Sequence, residues 1–117
     1  MSATLYGIPN CDTVKKARTW LDQQGIAYTF HDFKKAGISR ELAAAWLRDL
    51  DWATLVNRKG TTWRALNEEQ KASVVDADSA IALMLESPSV IKRPVLSHDG
   101  RTYVGFTIDH YQQIFKK

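Results

Sequence analysis

The chain predicts an α/β fold built on a four-stranded mixed sheet, and three observations carry that expectation. A short apolar strand runs through a proline turn into an amphipathic helix. A second strand follows that helix closely, and near the end an Asp-Gly turn joins two apolar runs ahead of a last helix. The resulting order is β-α-β, a helical stretch, then β-β-α.

Each element has a local cause. Residues 3–7 alternate weakly and end at Gly7-Ile8-Pro9, as a short buried strand does. Residues 13–24 set Val14, Ala17, Leu21 and Trp20 on one helical face, and Gly25 stops the helix. Residues 27–33 read as a second strand, with Tyr28, Phe30 and Asp32 on one side and Thr29, His31 and Phe33 on the other. The intervening helix supplies the crossover that a parallel pair requires.

From Ser39, Leu42, Ala45, Trp46 and Leu50 recur at helical spacing. Residues 51–56 fit either helix or strand, and residues 57–62 read as a loop. Asn67 to Gln70 has the form of a capping box, and Asp78-Ser79 is the expected start of a helix through Leu85. The expectation is one domain over residues 1–117 with a helical insertion at 38–87. Residues 90–97 and 101–106 then form an antiparallel hairpin across His98-Asp99-Gly100. A last helix carries Ile108, Tyr111, Ile114 and Phe115 on its apolar stripe.

Composition narrows the function classes. The 117 residues, 44% of them hydrophobic, suffice for one real core. No segment reaches the roughly 18 apolar residues of a membrane span, and the first residues lack a signal pattern, so a cytoplasmic protein without a membrane partner is expected. The formal charge of +3 favours anionic partners, but Lys34-Lys35, Lys92-Arg93 and Lys116-Lys117 are scattered pairs that read as solvated surface. Nucleic acid is therefore not the expected partner. One cysteine excludes an internal disulfide, and the three histidines lack metal-ligand spacing, so no metal is expected. His31, His98 and His110 read as strand surface, hairpin tip and helix face. Trp20, Trp46, Trp52 and Trp63 read as packing residues.

That one cysteine, Cys11, falls where the proline turn meets the helix. Unpaired N–H groups and the positive end of the helix dipole favour its ionised form there. Such a setting can lower a thiol from about 8.5 to roughly 3.5–7.5 and make the nucleophilic thiolate the major species. Lys15 and Lys16 push the same way. Asp12 opposes ionisation if it folds over the sulfur and matters little if it points away. The competing reading is an inert buried thiol.

The run Gly7-Ile8-Pro9-Asn10-Cys11-Asp12-Thr13 with Lys15-Lys16-Ala17-Arg18, together with Leu55-Val56-Asn57-Arg58, Met84-Leu85 and Ile91-Lys92-Arg93-Pro94, resembles the arsenate reductase and Spx family, and most closely its YffB-type members. The likeness covers nearly the whole chain and implies a thioredoxin-like fold. It implies that Cys11 is the nucleophile, that Arg58 and Arg93 hold an anion or thiol substrate, and that Pro94 is cis beside the cysteine. A cis bond would turn Arg93 toward the Cys11 loop. Without the resemblance, an ordinary trans proline and two solvated arginines fit the residues as well.

Two departures restrict the reaction. Arsenate reductases of the family carry a third arginine after the hairpin turn, where this chain reads Tyr103-Val104-Gly105-Phe106, and a histidine where this chain has Gly7. Val14 stands where a CxxC protein has its resolving cysteine, so an outside thiol must release Cys11. The expected activity is a glutathione-dependent monothiol reductase of disulfides or glutathione mixed disulfides, with glutathione as co-substrate and no tightly bound cofactor. Arg58, Arg93 and Lys15 would hold its charged ends, and the backbone before Pro94 its peptide part. Asn10 and the amides of Asp12 and Thr13 would steady the thiolate, although Thr13 reads equally as a plain first-turn residue. The alternatives are a redox-sensitive regulator of the Spx kind, with RNA polymerase as partner, or weak arsenate reduction.

Overall fold

The computed structural model describes residues 3–117, and the chain divides into two compact units. The first comprises residues up to Asp32 and from Arg93 onward; the second runs from Phe33 to Lys92.

In the first unit, β1 (Ala3–Gly7), β2 (Thr29–Asp32), β3 (Val95–His98) and β4 (Arg101–Val104) form a sheet in the order β2-β1-β3-β4. β1 pairs parallel with β2 and antiparallel with β3, and β3 pairs antiparallel with β4. This is the expected mixed sheet. Helices α1 (Asp12–Gln23) and α8 (Ile108–Phe115) bury their apolar stripes on the face that carries Ala3, Leu5 and Leu96. Trp20 meets Tyr111 edge-on at 5.9 Å between ring centres, and Phe106 meets Tyr111 at 4.7 Å. Burial pushes the Tyr111 phenol far above its ordinary range.

Two chain reversals explain the connections. After α1, Gly25 takes the left-handed conformation (φ 67°), and the N–H groups of Gly25 and Ile26 close onto the carbonyls of Asp22 and Leu21. A side chain there would be strained, so glycine ends the helix. In the hairpin, Asp99 (φ 51°) and Gly100 (φ 77°) alone form the turn, which suits the twist of the flanking strands.

The second unit contains α2 (Phe33–Ala36), α3 (Arg40–Trp46), α4 (Trp52–Leu55), α5 (Thr61–Arg64), α6 (Glu68–Ala72) and α7 (Ala77–Glu86), then a 3₁₀ turn at Pro88–Val90. α7 packs on α3 and on the 3₁₀ turn. Val56 makes an antiparallel bridge with Ile91, reinforced by Asn57 N–H to the Val90 carbonyl (2.8 Å) and Lys92 N–H to the Leu55 carbonyl (2.7 Å).

Several local expectations are corrected. β2 ends at Asp32, the partner of the last β1 residue, so Phe33 has no strand to pair with and instead begins α2, fully buried. The helix expected through Leu50 ends at Trp46 and continues only as turns. Thr61 and Thr62 start a helix rather than close a loop. Asp76, not Asp78, caps α7, because its carboxylate and the Ser79 hydroxyl satisfy each other's amides. The strand expected from Val90 begins only at Val95; Val90 belongs to the 3₁₀ turn, and Pro94 has no N–H to pair. His98 lies within β3 against the Phe115 ring (4.6 Å), not at the tip. Ile108, placed on the buried stripe, is 53% exposed at the first helical position.

Candidate active site around Cys11

β1 ends at Gly7 and the chain turns through Ile8-Pro9-Asn10, closed by the Cys11 N–H bonding to the Ile8 carbonyl at 3.1 Å. Cys11 then takes the N-cap position in extended backbone (φ −97°, ψ 127°), and its carbonyl accepts the first helical bond from Lys15 N–H at 2.9 Å. No side-chain oxygen caps this helix. Its first-turn amides therefore face a sulfur, a weaker and longer-range acceptor.

Arg93 reaches the same sulfur from the segment that leads into β3. Tyr6 pairs with Val95, so the end of β1 lies beside the start of β3, where Arg93 and Pro94 precede the strand. The Arg93-Pro94 peptide is cis, and Pro94 is buried with its carbonyl accepting Gly105 N–H at 2.9 Å.

The influences at the sulfur together lower the thiol pKa. Partial burial raises the Cys11 pKa, but the Val14 amide, a hydrogen bond from the Arg93 side chain, the Thr13 amide and the positive charge of Arg93 together outweigh it, and the thiol falls below its ordinary value. Lys15 and Lys16, expected to help, are exposed and are not among these influences. Asp12 begins α1, is exposed and is likewise not among these influences. Asn10 is exposed in the turn, and the amides that act on the sulfur are those of Val14 and Thr13 rather than the expected pair Asp12 and Thr13, because Asp12 is the first helical residue and the two amides after it face the sulfur. Tyr6 packs against His31 at 5.2 Å, and burial raises its phenol pKa.

Arg58 lies in the second unit, exposed in the loop after α4. It lines an open cleft of about 310 Å³ with Ala53, Thr54, Val56, Asn57, Lys59 and Lys92. The Asn57 side chain accepts Lys59 N–H at 3.2 Å and shapes this loop. Lys59 and Lys92 line this cleft beside Arg58, and each adjoins an arginine in sequence. Among the described residues, no three of His, Cys, Asp and Glu gather as metal ligands, and no helix is long and apolar enough to cross a membrane.

Residues 6–114 match the ArsC family. The chain is similar to the solved structure of a YFFB protein at 54% identity with a TM-score of 0.91, covering 96% of this chain and 97% of that one. It is 52% identical to an arsenate reductase (ArsC) related protein from Brucella melitensis, with a TM-score of 0.76, over 100% of this chain and 97% of that one. It is also 26% identical over 121 residues to the global transcriptional regulator Spx of Listeria innocua, covering 97% of this chain and 87% of that protein. The thioredoxin-like fold expected from the sequence agrees with these likenesses.

Proposed function

The chain belongs to the ArsC family, and on that premise we propose that it is a monothiol reductase that takes glutathione as co-substrate. The observation that carries the reading is the sulfur of Cys11 between the first-turn amides of α1 and the Arg93 guanidinium, with its pKa lowered by both. The Cys11 thiolate attacks the glutathione sulfur of a mixed disulfide. The old S–S bond breaks, the substrate leaves as a thiolate that takes up a proton, and Cys11 is left disulfide-bonded to glutathione. A second glutathione thiolate attacks that glutathione sulfur, which frees Cys11 and yields oxidised glutathione. The chain has no other cysteine to do this itself.

Arg93 serves twice in this scheme. It holds the resting thiolate, and its planar fork suits a carboxylate of the incoming tripeptide. Arg58 and Lys15 are the further cations offered to the acidic ends of glutathione. The Arg93 backbone, Asn10, Asp12 and Thr13 complete the proposed binding set with Pro94.

The test is turnover of a small glutathione mixed disulfide by pure protein with reduced glutathione. The wild type should turn over, and Cys11→Ser should leave only the uncatalysed rate. No turnover by the wild type would reject the reductase. The likeness to Spx favours a second reading, a regulator that binds RNA polymerase. That reading gains if polymerase binding is tight while turnover is absent. Arsenate reduction is the third outcome, scored by offering arsenate in place of the disulfide.

A further inference from the structure

We propose that Gly7 is a positioning residue for the thiol: the missing side chain at the end of β1 lets Val14 seat against the strand, and this seat sets the first turn of α1 whose amides face the sulfur of Cys11. The inference deepens the proposed function and rests on the thiolate reading of Cys11.

The backbone does not require glycine here. Gly25, Gly37, Gly100 and Gly105 have positive φ, and Gly7 does not; it is the last residue of an ordinary strand, paired with Asp32. Its need is for space. A Cβ on Gly7 would stand 2.7 Å from Val14 Cγ2 and 3.2 Å from Cγ1, inside the contact distance of carbon atoms. Val14 is fully buried and is β-branched, so in a helix its side chain has essentially one rotamer and cannot swing aside. The push would pass to the backbone of α1. Val14 supplies one of the two amides at the sulfur, and Thr13 supplies the other.

Gly7 is also tied to the thiol along the chain. Its neighbour Ile8 accepts the Cys11 N–H that closes the turn. Cys11 is thus held by the turn through the Ile8 carbonyl and by α1 through Lys15 N–H, so a displacement of the first turn changes how its amides meet the sulfur.

The experiment measures the rate of Cys11 alkylation against pH for wild type, Gly7→Ala, Val14→Ala and the double variant, with circular dichroism as the check on folding. Gly7→Ala should raise the alkylation midpoint by about one pH unit, which leaves about tenfold less thiolate below the midpoint. In the Val14→Ala background the added methyl finds space, so Gly7→Ala should move the midpoint little, a non-additivity expected of side chains in contact. A folded Gly7→Ala protein with the wild-type midpoint overturns the proposal. If Gly7→Ala alone does not fold, the double variant decides: a midpoint equal to that of Val14→Ala supports the proposal, and a raised one overturns it. A wild type that titrates as an ordinary thiol would instead reject the thiolate on which the proposed function rests.

Discussion

At the start of α7, the Asp76 carboxylate accepts Ser79 N–H at 2.9 Å and the Ser79 hydroxyl accepts Asp76 N–H at 3.0 Å, so side-chain oxygens consume the free amides. Thr107 does the same for α8, accepting His110 N–H at 3.1 Å. At the start of α1 the capping position has the same extended backbone, yet it holds Cys11 and no oxygen cap. The unsatisfied amides that α7 and α8 use for stability are kept in α1 for a sulfur. The difference separates a helix start that holds the fold together from one that lowers a thiol.

The largest effect should come from removing the cation that completes the α1 site. Arg93→Ala should raise the Cys11 pKa toward the ordinary thiol value. Alkylation at neutral pH should then slow by about tenfold for every pH unit that the midpoint rises. Arg93→Lys should keep part of the effect through charge alone. An unchanged alkylation profile in Arg93→Ala would mean that α1 lowers the thiol without help.

A smaller effect concerns stability against pH. Cys11 has a lowered pKa in the folded protein, so its contribution is fully present above the ordinary thiol value of the unfolded chain and is lost as pH falls through the lowered folded value. The stability gap between wild type and Cys11→Ser, measured by urea unfolding, should therefore widen as pH rises across that window. A gap flat in pH would break the contrast between the helix starts.

Oxygen caps should show the opposite pattern. Thr107→Ala should cost about 1 kcal/mol of stability and leave Cys11 alkylation unchanged, as judged by unfolding and alkylation on the same sample. The smallest effect belongs to Asp76, whose amide and hydroxyl partners hold its carboxyl below the ordinary value. Its contribution is present above the usual carboxylate range and is lost as pH falls through the lowered value. Any deficit of Asp76→Asn should shrink on acidification, seen in thermal unfolding at a series of pH values.

Much of this molecule was legible along the chain because the causes act over a few residues. Alternation marked β1, Asp99-Gly100 marked the hairpin, and the Asn67 to Gln70 spacing marked the cap of α6, whose two reciprocal bonds measure 2.7 and 2.9 Å. Elements that depend on distant partners were misread. Phe33 looks like a strand residue until β1 runs out beside it, and residues 90–94 look like strand because Val and Ile suit one. Ile108 has the right spacing for the buried stripe, but at the first helical position it is left exposed. The acidic and basic neighbours of Cys11 looked influential from their spacing, yet Asp12, Lys15 and Lys16 are exposed while a residue far along the chain acts on the sulfur.

From residue order alone came the element succession, a thiol at a helix start and the lack of any second cysteine to resolve it. Folding decided the rest of the site. The antiparallel register of β1 on β3, with Tyr6 opposite Val95, brings Arg93 to Cys11, and the lack of a Cβ at Gly7 leaves the room that Val14 occupies. The physical reason is range: periodicity, capping and turn chemistry act between near neighbours, whereas a guanidinium meets a sulfur from the opposite end of the chain only after strand pairing has set both backbones.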